Sequence, residues 1–320
     1  MELPIFARVF VFPESCVFNT MRVRLPDLEK LRERLGPVAW GAFVVFLICR
    51  TGDIASLVCK VFIGRVIPKM DFGGFEPFLS ALQILAFPIT VLMHSSVKSI
   101  SRMAESGRED SCRGMIGDLA KIALIGSILG TAVVYVLRGY IMERLHLQSD
   151  IYIYIFMALL LVGWWAPLSE AIIRAGLHYR VLAVPNIGKP FIVLLATLLM
   201  VGVFDWGLSG AFAARAGGGA ITVVVVFILL RPVMTGKRGS YRDELPVIGR
   251  ILLPMSLFVG SSLLLQHFDR LFVRNFMMDD SWGYAAVITA GMIPSYLIAP
   301  ISFVVFPLAS ADHSGGKDLA

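Results

Sequence analysis

Among the arginines that lie inside apolar stretches long enough to cross a lipid bilayer, three are candidate binding residues. Arg50 falls about half-way along the first such stretch, Arg215 lies in the sequence AARAGGGA, and Arg270 lies near the end of a run that starts at Leu245. A charged side chain within a membrane is costly and usually faces a bundle interior or a wet cavity. Since the planar guanidinium binds phosphate oxygens through paired hydrogen bonds, these arginines are candidates to bind an anionic substrate.

Two aspartates accompany these arginines and are candidates to bind a coupling ion, either a proton or sodium. Asp53 lies three residues after Arg50 on the same helix face, and Asp269 directly precedes Arg270. At both places the alternative is a structural ion pair that neutralises two charges without a role in transport. For Arg215 the alternative is a side chain that extends outward to the membrane surface. The sequence leaves these alternatives open.

The other polar groups in the apolar stretches indicate no catalytic chemistry. We expect Lys60 and Lys189, near the ends of their stretches, to reach the membrane surface, and His267 to be a packing residue. The three glycines at 217–219 are followed by no Gly-Lys-Ser/Thr and are not a phosphate loop. Histidines and cysteines show no metal-ligand spacing, and no nucleophile has a base beside it. We therefore predict a protein that is not an enzyme and needs no cofactor or metal.

The composition identifies the class of protein. Apolar residues make up 57% of the 320 residues and charged residues 16%, with a mean hydropathy of +0.77. A soluble domain averages about 45–50% apolar and about 25% charged residues. The net charge of +6 comes from basic residues between the apolar stretches, where orientation signals belong. A membrane protein is therefore predicted, and binding to nucleic acid is not.

Eight apolar stretches predict an all-α polytopic membrane protein with about eight transmembrane helices. They are residues 38–64, 75–97, 115–137, 151–173, 181–204, 208–230, 245–278 and 284–308. The third contains Gly126 and Gly130, a GxxxG spacing that permits close packing of helices.

The spacing of these helices predicts five segments in the chain. They are an amino-terminal segment (1–36), a first six-helix bundle (37–231), a basic linker (232–246), a partial second bundle of helices seven and eight (247–311), and a tail (312–320). Six helices can form a complete bundle and two cannot, so we expect the chain to stop inside its second bundle. Basic residues are richest before the first helix and after the second and sixth, which predicts cytoplasmic termini and a cytoplasmic linker.

Several short motifs resemble one family of membrane transporters. They are FIGR (62–65) at the exit of the first helix, FDRLFV (268–273) in the seventh, GYAA (283–286) opening the eighth, and VFPLA (305–309) at its end. With six helices and a basic linker before them, they resemble the oligosaccharide flippases. These are the polysaccharide biosynthesis exporters of the multidrug/oligosaccharidyl-lipid/polysaccharide superfamily, which is MATE-like. The resemblance covers residues 37–311 roughly, although the family has twelve to fourteen helices.

The resemblance implies a MATE-like six-helix lobe and an incomplete second lobe around a central cavity in the bacterial inner membrane. It also implies a substrate, an undecaprenyl-pyrophosphate-linked oligosaccharide moved across the membrane for cell-surface polysaccharide and lipopolysaccharide synthesis, with an ion gradient as the driving force. Arg50, Arg215 and Arg270 would then bind the pyrophosphate or sugar, and Asp53 or Asp269 the H+ or Na+. The polysaccharide polymerase machinery is a further expected partner.

Three other functions remain as alternatives. A multidrug/cation antiporter of the same superfamily would need acidic residues in its cavity, whereas the charges at mid-membrane here are mostly basic. A membrane-embedded enzyme of envelope assembly usually has a large hydrophilic loop, and the loops here are short. A scaffold or fragment without transport activity is the third alternative, because fewer helices are present than the family has.

Overall fold

The structure, a computed structural model, describes residues 49–145, 149–175 and 183–294, together with residues 47 and 181. Ten helices, one of them (α7) π-helical at both ends, and no strand occur within these ranges. They are α1 (described part, 49–66), α2 (Lys69–Leu85), α3 (Phe87–Glu105), α4 (Glu109–Val136), α5 (Arg138–Leu145), α6 (Ile151–Ala175), α7 (Val184–Val203), α8 (Gly207–Met234), α9 (Leu245–Phe276) and α10 (described part, 281–294). The predicted segments 1–36 and 312–320, and the carboxyl-terminal half of the eighth helix, lie outside the described residues.

The all-α membrane class predicted from the sequence is confirmed. Helices α4, α6, α7, α8 and α9 are long and apolar enough to cross a bilayer, and the pair α2–α3 would be a sixth span. This pair bends by 55° at Ala86, so the second predicted helix is not one straight helix. Pro88 lies at the start of α3, where a proline is tolerated but cannot continue the hydrogen bonding of the preceding turn.

Within helices α1 to α8, which we call the first bundle, aromatic side chains pack in one of two buried apolar clusters. The ring of Phe212 on α8 stacks on Phe78 at 4.0 Å and on Phe75 at 5.3 Å, measured between centroids. Phe156 on α6 meets Phe78 edge-on at 4.8 Å. All four are fully buried or nearly so. Because these rings come from three helices, they tie α2, α6 and α8 into one core.

The close packing predicted from Gly126 and Gly130 is confirmed between α4 and α6. A Cβ atom added to Gly126 would lie 1.9 Å from the ring of Trp164, and one added to Gly130 would lie 3.3 Å from Leu160. The indole therefore occupies the space that any other residue at 126 would fill. Helix α6 also lines one of the cavities described below.

Helix α9, the seventh predicted helix, lies against α2 and α3 of the first bundle. At its carboxyl end the buried Arg274 donates to the carbonyl of Met70 (3.2 Å) and to the hydroxyl of Ser281 (3.3 Å). At its amino end the buried Glu244 accepts from the guanidinium of Arg102. Thus α9 is attached to the first bundle at both ends, while most of its apolar surface is exposed.

The segment between α8 and α9 is shorter than the predicted linker. Helix α8 continues to Met234, and a short 3-10 turn, Arg242–Glu244, leads directly into α9. The intervening residues lie along the amino-terminal part of α4. The amide of Gly239 donates to the carbonyl of Asp110 (2.6 Å), and the hydroxyl of Ser111 donates to the carbonyl of Ser240 (2.8 Å).

Candidate functional site

A basic cavity lies inside the first bundle between α1, α7 and α8. Its volume is about 190 Å³, and its walls include the cationic side chains Lys60, Lys189 and Arg215. A neighbouring cavity of about 260 Å³ between α2, α6 and α8 is also lined by Lys189 and Arg215. These two cations therefore stand between the two cavities. We call the two cavities together the basic cavity pair.

Glycines of α8 and an irregular α7 bring the two cations together. A Cβ added to Gly218 would lie 2.6 Å from the side chain of Val193 on α7, and one added to Gly219 would lie 2.9 Å from Val162 on α6. The absence of side chains at these positions lets both neighbouring helices approach the turn that follows Arg215. On α7, Lys189 directly follows a π-helical turn, Val184–Gly188. Such turns are often found at functional sites.

Neither Lys189 nor Arg215 forms an ion pair or a side-chain hydrogen bond with another of the residues that the structure describes. Glu170 is the carboxylate that lines the cavity of about 260 Å³, and it already binds Arg174 at 3.0 Å. Lys189 and Arg215 are therefore left without a paired counter-ion among the described residues. An anion that enters the cavities would supply one.

Beside this cavity pair lies a buried cluster of three charges on three helices. The carboxylate of Glu76 on α2 is 3% exposed; it lies 2.7 Å from Lys60 Nζ on α1 and 2.9 Å from the guanidinium of Arg270 on α9. Lys60 belongs both to this cluster and to the wall of the smaller cavity. The expectation that Lys60 reaches the membrane surface is therefore wrong, since Glu76 attracts its ammonium group into the protein.

One alternative from the sequence was a local ion pair between Asp269 and the guanidinium of Arg270. The structure does not have this pair. The carboxylate of Asp269 accepts hydrogen bonds from the hydroxyl of Tyr284 on α10 and from the backbone amide of Arg270 (2.8 Å). His267, on the same helix, lies with Nδ1 3.0 Å from the hydroxyl of Ser80 on α2. Asp269 therefore joins α9 to α10, and Arg270 and His267 join α9 to α2.

Arg50 forms the ion pair with Asp53 that the sequence offered as the alternative to substrate binding. The guanidinium and the carboxylate are 2.9 Å apart, and both side chains are partly buried. Among the described residues that line the basic cavity pair, Arg50 does not appear. Gly52 nevertheless brings this helix close to α7, since a Cβ there would overlap the carbonyl oxygen of Asn186.

The structure thus separates the five candidate residues into four places. Arg215 lines the basic cavity pair, Arg270 is joined to that pair through Glu76 and Lys60, and Arg50 with Asp53 and Asp269 with Tyr284 form separate contacts. Within the described ranges no group of three or more His, Cys, Asp or Glu residues could hold a metal ion.

Glu76 was not identified from the sequence as a functional residue, and Lys189 was expected only to reach the membrane surface. Both had a signal: Glu76 is a lone carboxylate within the apolar sequence FGGFEPFLSALQ, and Lys189 lies between two prolines near an apolar run. A buried carboxylate requires a cationic partner, so Glu76 alone predicts a cation on a neighbouring helix. Which cation it binds is a property of the three-dimensional fold.

No family model and no curated protein sequence matches this chain. Solved structures do match it. A mutant of the Vibrio cholerae MATE transporter VcmN superposes with a TM-score of 0.62 at 17% sequence identity, over 85% of this chain and 65% of that one. An inward-facing multidrug resistance MATE family transporter of the MOP superfamily superposes with a TM-score of 0.61 at 16% identity, over 82% and 63%. The chain has the MATE transporter fold.

A third match, a MOP superfamily transporter from Pyrococcus furiosus, has a TM-score of 0.61 at 15% identity, over 86% of this chain and 64% of that one. That protein is described as having a binding pocket of reverse polarity that suggests a different function. This chain spans slightly less than two thirds of the length of each of these MATE-fold proteins. The predicted MATE-like architecture is therefore confirmed as a fold, and at these identities the comparison establishes the fold alone.

Proposed function

We propose that this protein is a membrane transporter of the MATE/MOP superfamily that flips an undecaprenyl-pyrophosphate-linked oligosaccharide across the bacterial inner membrane. The oligosaccharide serves cell-surface polysaccharide synthesis, and an H+ or Na+ gradient drives its movement. Both termini and the linker lie on the cytoplasmic side. Alternating access comes from rocking one bundle against the other, as in other transporters built from paired bundles.

The observation that carries this proposal is the basic cavity pair. Lys189 and Arg215 lie on cavity walls without a carboxylate partner among the described residues, and Lys60 lies beside them. Unpaired cations are expensive within a membrane unless an anion binds them. A pyrophosphate group provides several oxygens that suit both an ammonium and a guanidinium group. The site therefore favours a substrate with a phosphate-type headgroup.

The dimensions of the cavities suit the headgroup rather than the whole substrate. Pockets for drug-sized ligands have volumes of about 300–1,000 Å³. The two cavities of about 190 Å³ and about 260 Å³ fall below this range. We infer that the pyrophosphate enters the first bundle, that the sugars lie outside the two cavities, and that the polyprenyl chain stays in lipid. Arg50 and Arg270 remain our candidates for contacts outside the basic cavity pair.

The charges argue against the alternative of a multidrug/cation antiporter. A cationic drug in the basic cavity pair would need an available carboxylate there, but Glu170 on the cavity wall and Glu76 beside it each have a cationic partner within 3.0 Å. The coupling ion needs one carboxylate that can exchange its partner. We assign this role to Asp53 or Asp269, since Asp53 is partly exposed and the side-chain partner of Asp269 is the neutral hydroxyl of Tyr284.

The test uses cells that lack this protein but retain the enzymes of sugar assembly. We expect undecaprenyl-pyrophosphate oligosaccharide to accumulate on the cytoplasmic leaflet, and expression of the protein to reverse the accumulation. The absence of accumulation would contradict the proposal. A cationic-dye efflux assay in the same cells identifies the antiporter alternative, because only that function lowers the dye content.

A further inference from the structure

A second basic site lies on the outer surface of the first bundle, far along α8 from Arg215. It is a groove of about 230 Å³ between α4, α6 and the segment that follows α8. Its apolar walls are formed by Ile116, Leu124, Trp165 and Met234, and its cationic residues are Lys121 and Arg238. We call it the interfacial groove. None of these residues contributes to the basic cavity pair.

The linker holds Arg238 at the mouth of the interfacial groove. Its neighbour Gly239 is bonded through its amide to the carbonyl of Asp110, and a Cβ on Gly114 would lie 2.3 Å from the Gly239 carbonyl oxygen. The guanidinium of Arg238 then lies across Gly117, where a Cβ would be 2.9 Å from Arg238 Cζ. Two glycines of α4 are therefore needed for the linker and this side chain to lie flat on the helix.

The interfacial groove carries a net positive charge. The carboxylate of Asp118, the residue after Gly117 on α4, is engaged twice, by Lys121 Nζ at 2.7 Å and by the hydroxyl of Tyr241 at 2.7 Å. Burial and the bond to Asp118 raise the pKa of Tyr241 to about 12, so this hydroxyl keeps its proton at physiological pH. Arg238 is exposed and has no ion pair with any residue in the described ranges. Its positive charge is available to a ligand.

The groove opens onto an exposed apolar surface of α4. Leu124 is 49% exposed, and Ile125 and Ile128, which follow on α4, are 58% and 56% exposed. Because a helix rises about 1.5 Å per residue, Leu124 lies about 10 Å deeper along the span than Gly117, where Arg238 rests. Cations thus mark one end of the groove and apolar side chains mark the other. This is the arrangement of an anionic phospholipid, with a phosphate at the membrane surface and acyl chains below it.

We propose that the interfacial groove binds an anionic phospholipid of the surrounding bilayer, with its phosphate at Arg238 and Lys121 and an acyl chain along Leu124 and Trp165. Basic pockets between transmembrane helices on the cytoplasmic side bind anionic headgroups in this way. The groove lies at the end of the bundle that the charge distribution of the loops predicts to be cytoplasmic. The lipid would fix the linker against α4. This inference requires a chain that spans the membrane, but it does not depend on the transported substrate.

The test measures lipid binding to the purified protein in neutral detergent by native mass spectrometry. Phosphatidylglycerol is the probe, and phosphatidylcholine and soluble glycerol 3-phosphate are the comparisons. We expect phosphatidylglycerol to bind most tightly and glycerol 3-phosphate not to bind. Equal binding of the two phospholipids, or glycerol 3-phosphate binding as tightly as phosphatidylglycerol, would overturn the proposal.

Two variants with the same change in charge locate the site. Arg238→Ala should weaken the binding of phosphatidylglycerol roughly fivefold, the effect of one cation near an anionic headgroup. Lys237→Ala removes a charge one residue away that does not line the groove, so it should leave the affinity unchanged. Both side chains are exposed, so neither change should disturb folding. An equal loss in the two variants would show non-specific attraction and refute the site.

Discussion

The carboxylate of Glu76 lies 2.9 Å from the guanidinium of Arg270, in an ion pair that joins α2 of the first bundle to α9. Lys60 shares the same carboxylate, at 2.7 Å. One buried anion thus holds two cations from different helices, and one of these cations also lines the basic cavity pair. The attachment of α9 and the charge of the proposed binding site are therefore linked through a single side chain.

Glu76→Ala should strongly destabilise the protein. The substitution leaves Lys60 and Arg270 buried without a counter-ion, and breaking a buried pair in this way costs about 3–5 kcal/mol. The measurement is the free energy of unfolding in detergent, followed by the loss of helical circular dichroism with increasing denaturant.

The exposed pair Glu170–Arg174 provides the matched control, since its side chains are 41% and 50% exposed. Glu170→Ala should change stability by about 0.5 kcal/mol or less, as is usual for exposed pairs within a helix. If the two variants were equally stable, Glu76 would not be a structural centre of the fold. A double-mutant cycle of Glu76→Gln with Arg270→Gln then measures the coupling between α2 and α9.

Helices were the most predictable part of this protein. A stretch of apolar residues long enough to cross a bilayer has few alternatives to a helix, because its backbone groups must bond within the stretch. The predicted bounds 151–173 and 208–230 agree with α6 and α8 within four residues at each end. The break at Ala86 was less predictable, since Pro88 alone does not determine whether a helix bends or ends.

The candidate site was less predictable, because partners of charged residues come from distant parts of the chain. The pair Arg50–Asp53 is local and was foreseen as one of two alternatives. Glu76 and Arg270 are 194 residues apart, and no spacing rule connects them. Lys60 looked like a residue at a helix end when only its own helix was considered. Only the packing of α1 against α2 shows that its ammonium group is directed inward.

Arg215→Gln should abolish transport while the protein still inserts in the membrane. It removes one of the two cations in the basic cavity pair that lack a partner among the described residues. We expect at least about a tenfold loss, since charge-assisted hydrogen bonds contribute about 1.5–3 kcal/mol. The measurement is the rate at which lipid-linked oligosaccharide disappears from the cytoplasmic leaflet.

Arg231→Gln is the control for this prediction, because Arg231 lies on the same helix and is exposed near its end. It should leave the rate of transport unchanged. Lys189→Gln should lower the rate as Arg215→Gln does. Transport at the wild-type rate in both cavity variants would exclude the basic cavity pair as the substrate site.

Arg50 can be tested for substrate binding by removing its partner at the same time. If Arg50 only neutralises Asp53, the double variant Arg50→Gln with Asp53→Asn should recover the transport that Arg50→Gln loses. If Arg50 contacts the substrate, as we propose, or if Asp53 binds the coupling ion, the double variant should remain inactive. The same transport assay distinguishes these outcomes, and an immunoblot measures the amount of protein in the membrane. Recovery in the double variant would remove Arg50 from the substrate site.

Gly126→Ala should destabilise the first bundle by about 1–3 kcal/mol, the usual cost of overpacking a core. Its new methyl group would meet the ring of Trp164, which cannot move without disturbing the contact between α4 and α6. Gly217→Ala is the control, since it lies within α8 with no atom within 4 Å of the added Cβ. Alanine there should stabilise the helix by about 0.5–1 kcal/mol. Unfolding in denaturant measures both changes, and equal effects would contradict the packing of Gly126 on Trp164.

The buried carboxylate of Glu244 should hold the linker against α4. This carboxylate is 1% exposed and accepts from Arg102, whereas the neighbouring Asp243 is exposed and binds Arg108. Loss of the buried bond in Glu244→Gln should release the start of α9 and let the backbone at Lys237 enter the active site of trypsin. We expect cleavage in the linker to become about tenfold faster, which corresponds to about 1.4 kcal/mol.

Asp243→Asn provides the control for this experiment, because it changes an adjacent carboxylate by the same chemistry at the surface. Its pair with Arg108 is open to solvent, so the rate of cleavage should stay close to that of the wild type. The two rates are measured on the purified protein from the appearance of the two fragments. If Glu244→Gln were cleaved no faster than Asp243→Asn, the linker would be held by its bonds to Asp110 and Ser111 rather than by the buried carboxylate.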